Sequence, residues 1–484
     1  MIITLLSTLL FIGAPESPKE LVYPEYAFSV PLSDEYKEVL DNGVVVYIAE
    51  NKELPLVHIV GTFIGGDYLD TVDGVGVTSV MASLVRSGGT ETMTAEDVDE
   101  RFAFLAADAS VGGGPTTVTA TLDCLSSNFK DSFDLFFKMI QSPGFQPNRI
   151  ELAKTNIIER LGQRNDQASG ILRREFSNKL FGDSYLGRKP VLSSIESIGG
   201  DVLRSRHKLV FSPSNLTLSV SGDFDTPQML EFLNNNVGSW TGVGAVVPPE
   251  EVNSTFVPGI YYVDQDVPQG GVRIGIRSVQ QGDPNMAAIE VMNYILGGGG
   301  FGSRITQSVR SKEGLAYSAG SVFSDNPWTD GVWAAGYESK SSTVALAAEL
   351  IFDEINTIKT ETVSEEELEQ AKKSIIQQFP SQFQSKPATL GVFVDDTITN
   401  RIPGYWVNYR NNISAVTAED VKRVANMLLD QKKMVMVVVG DWSEIEGGDA
   451  DGRSSMRKIS GIIGGGISEL PLRDPSTLEV LVTP

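Results

Sequence analysis

The side chains that most often hold a catalytic metal are scarce in this chain. Its 484 residues include two histidines, His58 and His207, and one cysteine, Cys124. A structural zinc site takes four Cys or His ligands, and a catalytic site takes about three protein ligands, usually with at least two His. The chain contains no HExxH, HxxxH or CxxC motif. We therefore expect no metal and no other cofactor in this chain.

The sequence does not support serine-type catalysis or nucleotide binding either. No GxSxG elbow occurs, and neither histidine has an identifiable nucleophile. Residues 297–302 (GGGGFG) satisfy GxGxxG formally, but they follow a helical pattern where a dinucleotide site would need a strand. The simplest interpretation of this run is a helix C-cap followed by a turn.

Composition excludes one further class of partner. The chain carries 39 Lys and Arg against 62 Asp and Glu, a formal net charge of −23. Nucleic-acid affinity comes largely from clustered cations that displace counterions from phosphates, so we expect no nucleic-acid partner. With 41% hydrophobic and 21% charged residues, the sequence is typical of a soluble globular protein that buries substantial cores.

The N-terminus carries an apolar segment. Residues 2–13 are uncharged and mostly apolar, and the first charge is Glu16. A membrane-spanning helix needs about 20 such residues, so we predict no stable membrane span. The length suits a secretory signal peptide at 1–20, although the usual preceding Lys or Arg is missing. We expect an exported protein, periplasmic or secreted; the alternatives are a misassigned start codon and a buried first strand.

The sequence repeats itself at a spacing of 218 residues. A helical stripe of apolar residues that begins at Ile150 returns at Leu368. An apolar strand from Leu216, which ends in Gly-Asp-Phe, returns from Met434 and ends in Gly-Asp-Trp. We infer two copies of one domain.

Each copy mixes strand-like and helical patterns, which predicts an α+β fold rather than regular βαβ winding. We place the first domain at 21–245, an exposed linker rich in proline and acid at 246–258, and the second domain at 259–445. A glycine- and acid-rich tail at 446–484 is expected to lie along the surface or to be partly mobile. Helices are predicted at 77–86, 95–106, 129–140, 286–296, 343–359 and 418–429.

Two motifs resemble the insulinase (pitrilysin) family of metallopeptidases. Residues 76–90 (GVTSVMASLVRSGGT) are similar to that family's zinc-site helix, and residues 307–318 (QSVRSKEGLAYS) to its Val-Arg-x-x-x-Gly-Leu-Ala-Tyr-Ser motif. With the duplication, the resemblance covers about residues 25–445 and is nearest to the processing-peptidase branch. It implies two homologous α/β-sandwich domains of the LuxS/processing-peptidase-like type, in chains that pair into clam-like dimers.

The segment that resembles the zinc-site helix lacks the ligands. Active relatives carry His, Glu and His at positions i, i+3 and i+4 of one helical face, so that two imidazoles bind zinc and the carboxylate faces its water. Those positions fall on Ser79, Ala82 and Ser83, or, one residue later, on Val80, Ser83 and Leu84. Neither set can bind the metal.

The resemblance also places a third ligand, a Glu on a later helix, close to Glu159. This residue is either a relic of the ligand or an ordinary solvated residue of a helix. Without both histidines, a metal-activated hydroxide has no means of forming in this chain. The resemblance therefore implies zinc in a partner subunit and not here.

Arg310 and Tyr317 remain from the second motif. In processing-type relatives, the equivalent pair reaches toward the partner's zinc site and holds the substrate main chain near the scissile bond. The residue types suit that work, because Arg offers several fixed donors and Tyr a rigid O–H. The alternative is structural: Arg310 would pair with a helix carboxylate, and Tyr317 would pack beside it.

Two glycine-rich segments resemble peptide-contacting parts of the same family. The run 297–302 is partly similar to the glycine-rich loop of the non-catalytic processing-peptidase subunit, which would make it a flexible lip at a peptide cavity. Residues 112–122 occupy the place of the edge strand that active relatives pair with substrate, although three glycines and a proline blunt such an edge. A peptide added there would be held by backbone hydrogen bonds.

The resemblance thus implies a non-catalytic subunit of a heterodimeric insulinase-type zinc peptidase. It would supply Arg310 and Tyr317 to a partner that carries HxxEH, and would contribute to proteolysis only with that partner. Substrates would be unfolded peptides of limited size, and the chain's acidity would favour basic ones. The alternative is a catalytically inactive peptide-binding or scaffold protein that acts without a protease partner, for example as a homodimer.

Overall fold

The computed structural model describes residues 28–481, so the expected signal peptide at 1–20 lies outside the described residues. Within them, the chain forms two six-stranded sheets flanked by α-helices. The strands are β1 (Lys37–Val39), β2 (Val45–Glu50), β3 (Leu56–Ile64), β4 (Asp108–Gly113), β5 (Thr117–Leu125), β6 (Leu216–Gly222), β7 (Gly259–Asp264), β8 (Gln269–Arg277), β9 (Ala316–Ser324), β10 (Val332–Lys340), β11 (Val435–Gly440) and β12 (Ile467–Glu469). The helices are α1 (Val77–Ser87), α2 (Ala95–Phe104), α3 (Phe129–Gln141), α4 (Pro147–Gly162), α5 (Ala168–Phe181), α6 (Leu192–Glu196), α7 (Gly200–Val210), α8 (Thr226–Leu233), α9 (Met286–Asn293), α10 (Val344–Thr360), α11 (Glu365–Gln378), α12 (Lys386–Ile398), α13 (Tyr405–Ala415), α14 (Ala418–Leu428), α15 (Trp442–Ile445) and α16 (Met456–Ile463).

The two sheets have matching strand orders. The first runs β1-β2-β6-β3-β5-β4 and the second β12-β7-β11-β8-β10-β9. In both, one inner pair is parallel, β2 with β6 and β7 with β11, and the next three pairs are antiparallel. The predicted α+β fold with two homologous domains is confirmed. Only the outermost strand differs in origin, because β1 precedes its neighbour in the chain whereas β12 comes from the tail.

Short sequence signatures begin several of these helices. Thr94 and Asp97, Ser364 and Glu367, and Thr417 and Asp420 form capping boxes at the starts of α2, α11 and α14. In each box, side chain and backbone exchange hydrogen bonds and satisfy two amide N–H groups that the helix leaves free. These signatures explain why the predicted and observed starts of α2 and α14 agree.

Each half gives one helix to the sheet of the other half. Helix α5 belongs to the first copy by sequence, yet it packs on β8 and β11 of the second sheet. Helix α12, which lies 218 residues further on, packs on β2 and β6 of the first sheet. The glycines of β8 make room for α5, since a Cβ on Gly275 would lie 2.6 Å from Phe176 Cζ. The two halves are therefore covered reciprocally.

Both segments outside the predicted domains pack more closely than the sequence suggested. The prediction of an exposed linker at 246–258 is wrong for Val246 and Val252, which are buried, and Arg277 donates hydrogen bonds to the carbonyls of Val252 and Ser254. The prediction of a surface or mobile tail is wrong for 456–469. Apolar side chains of α16 are fully buried there, and β12 pairs in parallel with β7.

The edge of the first sheet also differs from the prediction. The edge strand is β4, whereas most of 112–122 belongs to β5, which pairs with β3 on one side and β4 on the other. Only Gly112 and Gly113 of that segment lie on the edge strand. Residues 117–122 alternate half-buried threonines with buried apolar residues, as any strand with one face on the core does.

Candidate functional site

The first candidate site lies beside α1. Its inward face is core, with Val80 and Leu84 buried, and its other face leaves Ser79 half-buried and Ser83 exposed. Ser79, Ser83 and Glu159 of α4 line one pocket of about 670 Å³. The structure thus brings both histidine-equivalent positions of the first alignment together with Glu159. Leu84 of the second alignment is buried in the core away from this pocket.

The residues present in this pocket do not fit zinc. Ser79 Oγ donates a hydrogen bond to Asp67 Oδ1 at 2.9 Å, and burial raises the pKa of the Asp67 carboxyl. Ala82 is fully buried, against Gly113 of β4, and offers no polar atom. Within residues 28–481, no three His, Cys, Asp or Glu side chains are grouped so that they could hold a metal ion. Serine hydroxyls are not among the usual zinc ligands of proteins, which are Cys sulfur, His nitrogen and Asp or Glu oxygen.

Both histidines are engaged elsewhere. His58 Nδ1 lies 2.7 Å from Asp123 Oδ1 on the neighbouring strand. His207 Nε2 lies 2.7 Å from the Ile140 carbonyl oxygen, and its ring stacks on Phe211. Burial lowers the pKa of His207 to about 4, so the ring is neutral at pH 7. In the part of the chain that the structure describes, neither ring hydrogen-bonds a hydroxyl or thiol.

The second candidate site is a larger cavity of about 940 Å³ in the second half. Its floor is formed by β8, β10 and β9, and one wall by α5 of the first half, through Leu172 and Arg173. The glycine-rich run at 297–302 and the motif that carries Arg310 and Tyr317 form the opposite wall. The cavity therefore combines both halves of the chain and holds both residues of the predicted pair.

Local backbone features aim this pair into the cavity. Arg310 lies on a π-helical stretch, Thr306–Lys312, and Gly314 follows with φ +66°, where glycine is favoured. Strand β9 begins at Ala316, and its pairing with β10 shifts so that β9 has one extra residue near Tyr317. A bulge of this kind re-aims a side chain. Tyr317 is accordingly 86% exposed at the cavity.

The guanidinium of Arg310 lies between two aromatic rings. Its carbon is 4.8 Å from the centre of the Tyr317 ring and 4.6 Å from that of Phe301. Phe301 is 68% exposed and belongs to the glycine-rich run. Such contacts attract the guanidinium to the ring faces without using its N–H donors as hydrogen bonds to a carboxylate would.

The structural alternative for Arg310 is wrong about its partner. Within the described range, no carboxylate forms an ion pair with Arg310, and Glu313, three residues along, pairs with Arg453 at 2.8 Å. Tyr317 does pack beside Arg310, as that alternative expected, but as a stacking surface. The donors of Arg310 are therefore available to a ligand in the cavity.

The glycine-rich run is closely fitted rather than loose at its start. A Cβ on Gly297 would lie 2.4 Å from the Ser321 backbone nitrogen, so only glycine allows this approach to β9. At the other end, Arg304 donates to both carboxylate oxygens of Glu367, at 2.8 and 2.9 Å. These hydrogen bonds hold the pKa of Glu367 below its usual value. The run lines the rim of the cavity between two fixed ends.

Several residues of this cavity were not predicted from the sequence. Phe301 is an aromatic side chain among glycines, and such a residue in a loop is often exposed for binding. Arg273 is a charged residue inside the apolar strand β8, which is a second usable signal. Arg173 belongs to the other copy, and no pattern in the sequence reveals that α5 crosses to the second sheet.

Comparisons with known proteins agree with this geometry. Residues 197–375 match the family model described as "Peptidase M16 inactive domain". The chain's likeness to the insulinase-type (M16) peptidases is confirmed. It is 27% identical, over 70% of its length and 79% of the relative's, to a "non-peptidase homolog YmxG" of Helicobacter pylori. It is 26% identical to an uncharacterized zinc protease of Mycobacterium tuberculosis, over 78% and 88% of the two chains.

Solved structures show the same M16 fold. A "peptidase M16 inactive domain" from Pseudomonas fluorescens superposes with a TM-score of 0.76 at 21% identity, covering 84% of this chain and 97% of that one. The chain thus shares the M16 fold, with two M16-like halves, and its residues 197–375 resemble the inactive domain of that family. No helix within residues 28–481 combines the length and the apolar character needed to cross a membrane.

Proposed function

We propose that this chain is the non-catalytic subunit of a heterodimeric M16-type zinc peptidase. It supplies Arg310 and Tyr317 to a partner that carries HxxEH and zinc, and the pair degrades or processes unfolded peptides. We further propose export to the periplasm or outside the cell, on the apolar run at 2–13, which lies outside the described residues.

The observation that carries this proposal is the orientation of Arg310. Its guanidinium is stacked between Phe301 and Tyr317, has no carboxylate partner within residues 28–481, and lines a cavity large enough for several peptide residues. A merely structural arginine would be neutralised by a neighbouring carboxylate, as Arg304 is by Glu367. An arginine whose N–H donors have no carboxylate partner is suited to donate to peptide carbonyl oxygens.

The chemistry assigned to this chain is positioning. Arg310 N–H groups and the Tyr317 hydroxyl would hold the main chain of the peptide near the scissile bond, while hydrolysis belongs to the partner. Donors that act where charge develops in the transition state are typically worth about 10²- to 10³-fold in rate. The pocket beside α1 makes no contribution to hydrolysis, because Ser79, Ala82 and Ser83 cannot activate water through a metal.

The test is reconstitution with a candidate HxxEH partner. Peptide hydrolysis is measured for this chain, for the partner and for their equimolar mixture, and assembly is followed by size-exclusion chromatography with light scattering. We expect turnover only in the mixture, lowered about 10²-fold by Arg310→Ala and less by Tyr317→Phe, with assembly unchanged. The matched control is Arg457→Ala, an exposed arginine of α16 outside the cavity.

Three outcomes would contradict the proposal. If the partner alone cleaves peptides as fast as the mixture, this chain lends nothing to catalysis. If Arg310→Ala abolishes assembly, the residue is structural. If the chain binds peptides but never assembles with an HxxEH subunit, the scaffold alternative is the better description.

A further inference from the structure

The cavity has a charge opposite to that of the whole chain. Four cationic side chains line it, against a single carboxylate, that of Glu338, whereas the full sequence has a formal net charge of −23. The four cations are Arg173, Arg273, Arg310 and Lys340. A concentration of one charge sign in a cleft raises the local concentration of ligands of the other sign.

These cations are not neutralised by the protein. Elsewhere, arginines such as Arg174 and Arg206 form ion pairs with Glu175 and Asp70. Within residues 28–481, by contrast, none of the four cavity cations has a carboxylate within ion-pairing distance, and Glu338 is also unpaired. Their positive charge is therefore available to a ligand.

The four cations come from separate elements that converge on the cavity. Arg273 projects from β8 on the face where Gly271 and Gly275 approach α5, and it is half-buried. Arg173 extends from α5 on the wall that the first half supplies, and Lys340 ends β10 on the lining of the same cavity. Since α5 crosses from the first half, Arg173 joins the three cations of the second half only when both halves are packed together.

We infer that this cavity selects acidic peptides. The inference rests on the proposed function, because it names the substrate class of the same cavity. Carboxylates of bound Asp or Glu residues pair with the unneutralised guanidinium groups, often through two parallel N–H···O bonds. The preference for basic peptides was predicted from the net negative charge of the whole chain. The cavity lining carries the opposite charge, which favours acidic peptides.

The test uses three fluorescent peptides of equal length that differ only at four positions, occupied by Glu, Gln or Lys. Dissociation constants are measured by anisotropy with the full chain at low and at physiological salt. We expect the Glu peptide to bind about 10-fold tighter than the Gln peptide at low salt, and the Lys peptide to bind weakest. At higher salt the difference shrinks, because screening shortens the reach of exposed charges to about 8 Å.

Variants assign this preference to the cavity. Arg173→Gln and Lys340→Gln change exposed side chains, so folding is unaffected, and together they should remove at least half of the Glu preference measured as a ratio of dissociation constants. Arg457→Gln removes the same charge from an exposed position outside the cavity and should leave the ratio unchanged. A loss in Arg457→Gln equal to that of the cavity variants would overturn the inference.

The remaining outcomes separate the inference from the proposed function. If all three peptides bind with equal affinity, or the Lys peptide binds tightest, the charge selection is wrong while peptide binding stands. If no peptide binds to the chain, alone or with an active partner, the proposed function itself is wrong.

Discussion

The two halves of this chain have the same sheet order but keep different parts of a peptidase. The pocket of the first half holds Ser79, Ser83 and Glu159, and has lost the donors that zinc needs. The cavity of the second half holds Arg310 and Tyr317 with their donors unpaired. Helix α1 buries Val80 and Leu84 in the core, and of the three positions that resemble the zinc motif only Ala82 is buried with them. A duplicated fold can therefore lose its chemistry in one copy without loss of its core.

The largest effect should come from restoring ligands to the first half. In Ser79→His/Ser83→His, Glu159 completes a set of three protein ligands, and we expect one zinc per chain, bound about 10⁴-fold tighter than by the parent. Calorimetry measures the affinity for zinc, and metal analysis measures the amount of zinc per chain. Adding Glu159→Gln should weaken binding strongly, whereas Glu151→Gln, on the same helix outside the pocket, should not. If zinc fails to bind the double variant, the first half has lost more than its imidazoles.

The next effect tests whether the halves depend on each other. Phe393 of α12 is buried against Tyr36 and Tyr47 of the first half, with ring centres 5.7 and 5.6 Å away. Phe393→Ala should lower the free energy of unfolding by about 3–5 kcal/mol. Hydrogen exchange should accelerate in β2 and β6 as well as in the second half. Exposed Phe104→Ala serves as the control, and faster exchange confined to the second half would show that the first sheet stands alone.

A smaller effect is the pH dependence of stability, which should arise in the first half because both histidines lie there. The folded pKa of His207 is about 4, below that of an unfolded histidine near 6.5. Between these values the unfolded chain binds more protons, so stability is full above about pH 6.5 and falls toward pH 4. The free energy of unfolding, measured with denaturant, should be about 2–3 kcal/mol lower at pH 4.5 than at pH 7 because of this group. The pH-dependent loss should be smaller by that amount in His207→Phe; equal losses would refute the assignment.

The smallest effect concerns the stacking of Arg310. Phe301→Leu keeps an apolar side chain but removes one aromatic face from the guanidinium. A cation–π contact at an exposed site is worth about 0.5–1 kcal/mol, so peptide affinity should fall about 2- to 5-fold. Phe301→Tyr should retain the parent affinity in the same anisotropy measurement. A loss as large as that of Arg310→Ala would mean that Phe301 contacts the peptide itself.

Much of the fold could be predicted from the sequence because it depends on local patterns. The 218-residue repeat gave two homologous domains, and apolar periodicity located the helices, with α1 and α2 beginning at the residues predicted. Arg310 and Tyr317 share one cavity because the intervening Gly314 turns the chain from helix to strand. These features are set by neighbours in the sequence.

The remainder depends on contacts between distant segments. The exchange of α5 and α12, the hydrogen bond from Val252 N–H to Thr329 Oγ1 and the pairing of β12 all join segments more than 70 residues apart in sequence, which periodicity does not detect. The prediction of the edge strand was wrong for a related reason. The strand Thr117–Leu125 alternates like any strand, and only its pairing with two neighbouring strands shows that it lies inside the sheet. The positive cavity was likewise hidden by the acidity of the whole chain.

The exchange of α5 and α12 has a consequence for how the protein is made. A nascent chain that has emerged only as far as residue 258 has a complete first sheet without its covering helix, so the face bearing Tyr47 is bare until synthesis passes Ile398. Cleavage between the halves in the folded protein would leave two fragments, each with its sheet covered by a helix of the other. Completion of the first half therefore waits for synthesis of much of the second half.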